Sequence, residues 1–171
     1  MHINIKTATG GFTPLFWAAV YNHWNIVNLF LRNGADVNAK DNDLLETALH
    51  EMAHQGKLDM AKILVENGAN VHERDGQGFT ALHVAAVSNE VEIAELLIQK
   101  GADVNVKSAY FFTPLHVSFA KNNLEMSLIL LKSGASLIYK DPRGNNAMES
   151  YLERGGIKVF KTLVAFQHWC L

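Results

Sequence analysis

The chain has 171 residues, 49% of them apolar and 19% charged, with 15 lysines and arginines against 17 aspartates and glutamates for a net charge of −2. That length can bury a sizeable core, and the charge balance argues against a general phosphate-binding surface, which needs a basic excess. No apolar run approaches the ~20 residues that cross a bilayer, residues 1–6 lack a secretory apolar stretch, and the lone Cys170 excludes an intrachain disulfide. The expectations are an intracellular, cytoplasmic setting (the nucleus included), no membrane insertion and no nucleic-acid partner.

From the N-terminus, His2-Ile3-Asn4-Ile5-Lys6 looks like the later segment Asp36-Val37-Asn38-Ala39-Lys40, and both asparagines stand nine residues before a threonine, Thr13 and Thr47. Residues 1–7 therefore read as the remnant of an earlier unit, and the chain as a piece of a longer array. Thr13-Pro14 supplies a side-chain acceptor at an N-cap and a preset φ at the first helical position. A short helix is expected after it, a turn at Asn22, and a second helix with apolar residues at Ile26, Leu29 and Phe30, which gives one buried face. Gly34 then sits where a helix ends in a left-handed residue.

This unit recurs. The threonine series runs Thr13, Thr47, Thr80, Thr113 and then Asn146, at spacings of 34, 33, 33 and 33. Gly34-Ala35-Asp36-Val37 returns as Gly68-Ala69-Asn70-Val71, Gly101-Ala102-Asp103-Val104 and Gly134-Ala135-Ser136-Leu137. The apolar face returns as Met60/Ile63/Leu64, Ile93/Leu96/Leu97, Met126/Ile129/Leu130 and Val159/Thr162/Leu163. Short helices such as 81–87 alternate with longer ones such as 91–99. A fixed period of this length is the signature of a repeat architecture.

The 33-residue period and the strings Thr13-Pro14-Leu15-Phe16, Thr80-Ala81-Leu82-His83 and Thr113-Pro114-Leu115-His116 resemble the ankyrin repeat, as do the Gly-Ala-Asp-Val-Asn segments at 34–38 and 101–105. The resemblance implies an all-α ankyrin-repeat solenoid of about five helix–turn–helix repeats joined by β-hairpin loops, with ten helices in all. Its repeats run about 8–41, 42–74, 75–107, 108–140 and 141–171, in a single domain over 1–171. The last repeat departs from the pattern: Asn146, Glu149, Ser150 and Tyr151 replace the usual residues, as a terminal capping repeat would. Asn38 and Asn105 occupy the position that asparaginyl hydroxylases modify in the family.

The one string with catalytic form is His50-Glu51-Met52-Ala53-His54, H-E-x-x-H, which on a helix offers two imidazoles to zinc and a glutamate as base. His50, however, aligns with His83 and His116, so it belongs to the repeat. A metal-dependent hydrolase is kept as the alternative, with no enzyme activity, metal or cofactor as the main expectation. Glu51 is anomalous, because its counterparts Trp17, Val84 and Val117 are apolar, and a buried carboxylate needs a donor. Gly76-Gln77-Gly78 reads as a turn tip rather than a phosphate loop, since no strand precedes it.

The family binds partner proteins on the concave face of hairpin tips and first helices. That gives a protein–protein interaction scaffold as the expected function, with a structural spacer in a longer array as a further alternative, and a monomer as the expected state. Alignment of the repeats assigns the contact positions to Phe12, Tyr21, Leu44, Glu46, Gln77, Phe79, Tyr110, Phe112, Lys121 and Arg143. Aromatic side chains in register mark a candidate interface. Phe111 stands where Gly11, Gly78 and Gly144 stand in other repeats, so the 108–112 hairpin is expected to differ from its neighbours.

Overall fold

The first helices of the first four repeats start because a threonine holds its own backbone extended and turns its side chain toward the new helix. Thr13, Thr47, Thr80 and Thr113 all take this N-cap conformation, with ψ between 160° and 167°. The computed structural model describes residues 3–153. In chain order the helices are α1 (Pro14–Val20), α2 (Trp24–Arg32), α3 (Ala48–Gln55), α4 (Leu58–Glu66), α5 (Ala81–Ser88), α6 (Val91–Gln99), α7 (Pro114–Ala120), α8 (Leu124–Lys132) and α9 (Ala147–Glu153). They form four complete helix pairs and the first helix of a fifth. The expected tenth helix lies outside the described residues.

Single residues with left-handed backbone turn each first helix into its partner: Asn22, Gly56, Asn89 and Asn122, with φ between 57° and 70°. Second helices end at Gly34, Gly68, Gly101 and Gly134, where φ is 81° to 91°. An L side chain is disfavoured at that φ, which explains the glycine column.

The first helices stack on one another in the order α1, α3, α5, α7, α9, and α4, α6 and α8 stack behind them. The leucine column Leu15, Leu49, Leu82 and Leu115 fills the layer between, with Met60, Ile93 and Met126 from the second helices. The loops of residues 7–12, 41–46, 75–79, 108–112 and 141–145 are each closed by one backbone bond of 2.8–2.9 Å between their end residues. Among the described residues the only bridge of strand type is Lys140 with Asn146, so the hairpin loops are tight turns and not ladders.

Each repeat is covered by the one before it. Met60, Ile93 and Met126 are at most 1% exposed, whereas their counterpart Ile26 is 43% exposed and Leu29 beside it 58%. Residues 3–6 supply part of a cover: Asn4 Oδ1 accepts the Asp36 N–H at 2.8 Å, the same bond that Asn38 makes to Asn70 and Asn105 to Ser136. We expect Ile93→Ala and Met60→Ala to cost about 2–5 kcal/mol each, and Ile26→Ala less than about 1 kcal/mol, read by urea unfolding. Equal losses at the three positions would contradict this account of the stack.

Candidate protein-interaction face

The histidine at the third helical position links one repeat to the next. In α3 the Thr47 N–H donates to His50 Nδ1 at 3.2 Å, which fixes the proton on Nε2. That N–H donates to the Phe79 carbonyl of the following loop at 3.1 Å. His83 repeats the arrangement, with Thr80 N–H at 3.1 Å on Nδ1 and the Phe112 carbonyl at 3.0 Å from Nε2. Phe79 and Phe112 are thus held by their own backbones, and their rings lie over histidines: Phe79 stacks on His83 at 4.9 Å, and Phe112 meets His116 edge-on at 6.1 Å.

Two more rungs tie neighbouring loops together. The amides of Asn42, Gly76 and Ala109 donate to the carbonyls of Gly10, Leu44 and Gln77 at 2.7–3.0 Å. Lys40 Nζ reaches the Arg74 carbonyl at 2.7 Å, and Arg74 Nη1 reaches the Lys107 carbonyl at 2.6 Å. Within each loop a short polar side chain collects the tip amides: Asp75 Oδ1 accepts from Gln77 and Phe79, and Asp141 Oδ1 from Arg143 and Asn145.

These rungs change between the fourth and fifth loops. The tip position there is Pro142, which has no N–H to give. His116 keeps its Thr113 bond at 3.2 Å, but its buried Nε2 has no hydrogen-bond partner among the described residues. The carbonyls of Asn145 and Tyr139 act on that ring from outside hydrogen-bond geometry. Lys107 lies over the Tyr139 ring at 4.5 Å instead of reaching a loop carbonyl. Next to this gap is a groove of about 550 Å³. Its apolar wall is Phe79, Val87, Phe112, Val117 and Ala120, and Lys121 and Arg143 stand at it with Asp141 and Glu153.

Of the ten expected contact residues, Phe79, Phe112, Lys121 and Arg143 meet in this groove. The two phenylalanines are half-buried and packed against the core, while the two cations are exposed. Tyr110 is 57% exposed at the fourth loop and Gln77 lies at the third loop's tip, both outside the groove lining. Phe12 and Tyr21 belong to a separate aromatic cluster at the first repeat, where Phe12 packs on Phe16 at 4.6 Å and Trp17 stacks on Tyr21 at 5.7 Å. Leu44 is exposed at the second loop. Glu46 is half-buried beside it; burial first, then Asp41 and Glu51, push its carboxyl above the usual value.

The sequence pattern of a single ankyrin repeat matches residues 10–42, and that of ankyrin repeats in three copies matches residues 41–108. The chain belongs to the ankyrin-repeat family. It is similar to alpha-latrotoxin-Lg1a of Latrodectus geometricus, 41% identical over 71 residues, which is 41% of this chain and 5% of the toxin. It is also similar to palmitoyltransferase ZDHHC13 of Homo sapiens, 38% identical over 66 residues, 39% of this chain and 11% of that protein. Palmitoyltransferase Hip14 of Drosophila melanogaster is 39% identical over 66 residues, 39% of this chain and 10% of its own length. The chain thus spans about a tenth or less of these relatives. No helix among the described residues is long and apolar enough to cross a membrane.

With the ankyrin geometry in place, the H-E-x-x-H string has a structural account. Both ring nitrogens of His50 are committed, one to its own helix cap and one to Phe79, which leaves no lone pair for a metal. His54 is exposed, with Nδ1 3.3 Å from Ser88 Oγ. Glu51 does not enter the core: it is half-exposed and accepts a hydrogen bond from Gln55 one turn on. Asn38 and Asn105 are clasps between repeats, each accepting from one backbone N–H and donating to a glycine carbonyl, Gly68 at 3.3 Å and Gly134 at 3.2 Å.

One expectation is corrected. The 108–112 loop does not differ from its neighbours: Phe111 adopts φ 61°, and its amide closes the turn on Ser108 at 3.0 Å as Gly78 does on Asp75. Leu45 takes the same place in the second loop with φ 56°. The turn demands the left-handed backbone and accepts a bulky residue at some cost in strain. At Gly78 the demand is stricter, because an added Cβ would stand 2.6 Å from the Ala109 nitrogen. Sequence reading also missed the linking rungs, though Lys6, Lys40, Arg74, Lys107 and Lys140 follow the repeat period and would have pointed to them.

The histidine links make stability depend on pH. Burial pushes the His83 imidazole down to about 4 and lowers His50 as well. An unfolded histidine titrates near 6.5, so between 6.5 and about 4 the unfolded chain holds the extra proton. The contribution is complete above pH 6.5 and is lost as pH falls toward 4, on the order of 3 kcal/mol for His83 alone. We expect urea midpoints to fall across that window and the slope to flatten in His83→Gln. An unchanged slope in the variant would refute the assignment.

Proposed function

We propose that this chain is a protein-binding module that takes its partner on the first-helix and loop face, between the third and fifth repeats. The observation that carries this reading is the groove in which Phe79, Phe112, Lys121 and Arg143 converge. Ankyrin repeats are generally protein-interaction modules, and this groove pairs an apolar wall with exposed charge, as interface centres and rims do. Tyr110 and Phe111, 57% and 58% exposed in the adjacent loop, extend the apolar surface. Phe111 also keeps a backbone conformation that costs a non-glycine residue on the order of 1 kcal/mol, which is understandable where the side chain is used.

The module is proposed to span 1–171 as one domain with its fifth repeat at 141–171, to work inside the cell and to be monomeric. The single cysteine supports the intracellular setting, since no intrachain disulfide calls for an oxidising compartment.

The reading is tested by selecting ligands from a displayed random-peptide library against the chain and mapping them by amide chemical-shift perturbation. We expect the shifts to cluster at 77–79, 110–121 and 141–145, and Phe112→Ala to weaken the selected ligands by about thirtyfold. Because Phe112 is half-buried, that variant will also lose some stability. Ligands that map to the second-helix face around Ile63 and Leu96 would overturn the reading, and a chain that yields none would favour a spacer.

A further inference from the structure

The fold leaves the fourth and fifth loops without the bonds that join the second loop to the third and the third to the fourth, and the groove lies at that place. Three changes coincide there. Pro142 cannot supply the tip amide, His116 Nε2 has no partner among the described residues, and Lys107 turns to the Tyr139 ring. Between the second and third loops and between the third and fourth, the same face is sealed by its own hydrogen bonds, and the groove opens where those bonds stop.

The charges at the groove are unequal in what they have left to offer. Asp141 is 8% exposed, with Oδ1 taken by the Arg143 and Asn145 amides and Oδ2 by the Ser150 hydroxyl at 2.9 Å. Glu153 accepts from the Asn145 side-chain amide at 2.8 Å. Lys121 and Arg143 are exposed and make no ion pair among the described residues. The long-range field agrees with this local picture. Of the described residues, 104–153 hold five lysines and arginines against four acids while 3–103 hold seven against thirteen, so the acidic excess of the chain lies away from the groove.

We propose that the groove binds an acidic peptide segment carrying one large apolar side chain, which enters between Phe79, Phe112 and Val117 while flanking carboxylates pair with Lys121 and Arg143. This rests on the reading of the face given above and adds the chemistry of the partner. The apolar insertion supplies most of the affinity, and the two exposed ion pairs set selectivity and on-rate. A basic segment with the same apolar side chain is turned away by the same two cations.

The test uses the 171-residue chain and a fluorescent peptide with one leucine flanked on each side by two glutamates. We expect saturable binding by anisotropy that weakens as salt rises and drops about tenfold or more when the glutamates become glutamines. Replacing the leucine by glycine costs about thirtyfold or more. The decisive variant is the double change Lys121→Glu with Arg143→Glu, both on exposed side chains that the fold does not need. It is expected to lose the glutamate peptide and to gain the matching lysine peptide.

A double variant that still prefers the glutamate peptide overturns the proposal, as does a glutamine peptide bound as tightly as the glutamate one. If library-selected ligands map to the groove but are neutral or basic, this inference fails while the interaction face stands. If they map elsewhere, both fail. Concentration-dependent self-association that disappears in the double variant would show that the groove takes the acidic half of a second copy, and would also overturn it.

Discussion

The rest of the structure depends on a histidine that serves two masters at once. Its Nδ1 accepts the N-cap amide of its own helix, and this forces the proton onto Nε2, where the only useful acceptor is the next repeat's loop carbonyl. A single neutral imidazole therefore sets helix start, loop position and repeat spacing together. The arrangement works only while the ring stays uncharged, because a protonated Nδ1 would face a donor amide in a buried site. The ankyrin stack accepts a pH sensitivity in return for a rigid registration of its loops.

That dependence explains which parts of the molecule were legible in the sequence. The threonines, histidines and left-handed glycines were readable because each column recurs in three or four repeats, so the period exposes it. Helix bounds such as Val91–Gln99 followed from the same columns. Phe111 was misread because a column of glycines suggests that only glycine fits, whereas φ is the requirement and space is a separate question for each loop. Glu51 was misread for a related reason: its column lies at the edge of the core, where Trp17 is 36% exposed while Val84 and Val117 are 9% and 8%. Burial in that column varies along the stack, and a repeat alignment averages over that.

The candidate site was legible only as a list of variable positions. Alignment could name Phe79, Phe112, Lys121 and Arg143, but it named six others beside them. What separates the four is a local failure of the repeat, and a failure is visible only against the geometry of the rungs that succeed. Pro142 was the available clue. A proline at the tip position is unremarkable as a turn residue; it becomes informative once the amide at that position is known to bridge loops in three earlier repeats.

The last repeat answers to two requirements that pull apart. It holds its own first helix by replacing the threonine–histidine pair with Asn146 and Glu149. Asn146 Oδ1 accepts the Glu149 N–H at 2.9 Å, while Glu149 Oε2 accepts the Asn146 N–H at 2.8 Å. This reciprocal cap is complete within the repeat. Beyond it, Tyr151 packs on Phe119 at 5.6 Å and bonds Asn122, so α9 is fixed to α7 through the helices and needs little from the loops. Because the helix layer carries that attachment, the loop layer is released from it, and a groove can exist between the fourth and fifth loops without loosening the stack. Elsewhere along the stack the loops are bonded to each other and such a groove would cost registration. Between the fourth and fifth repeats an open loop edge and a well-packed helix pair are therefore compatible.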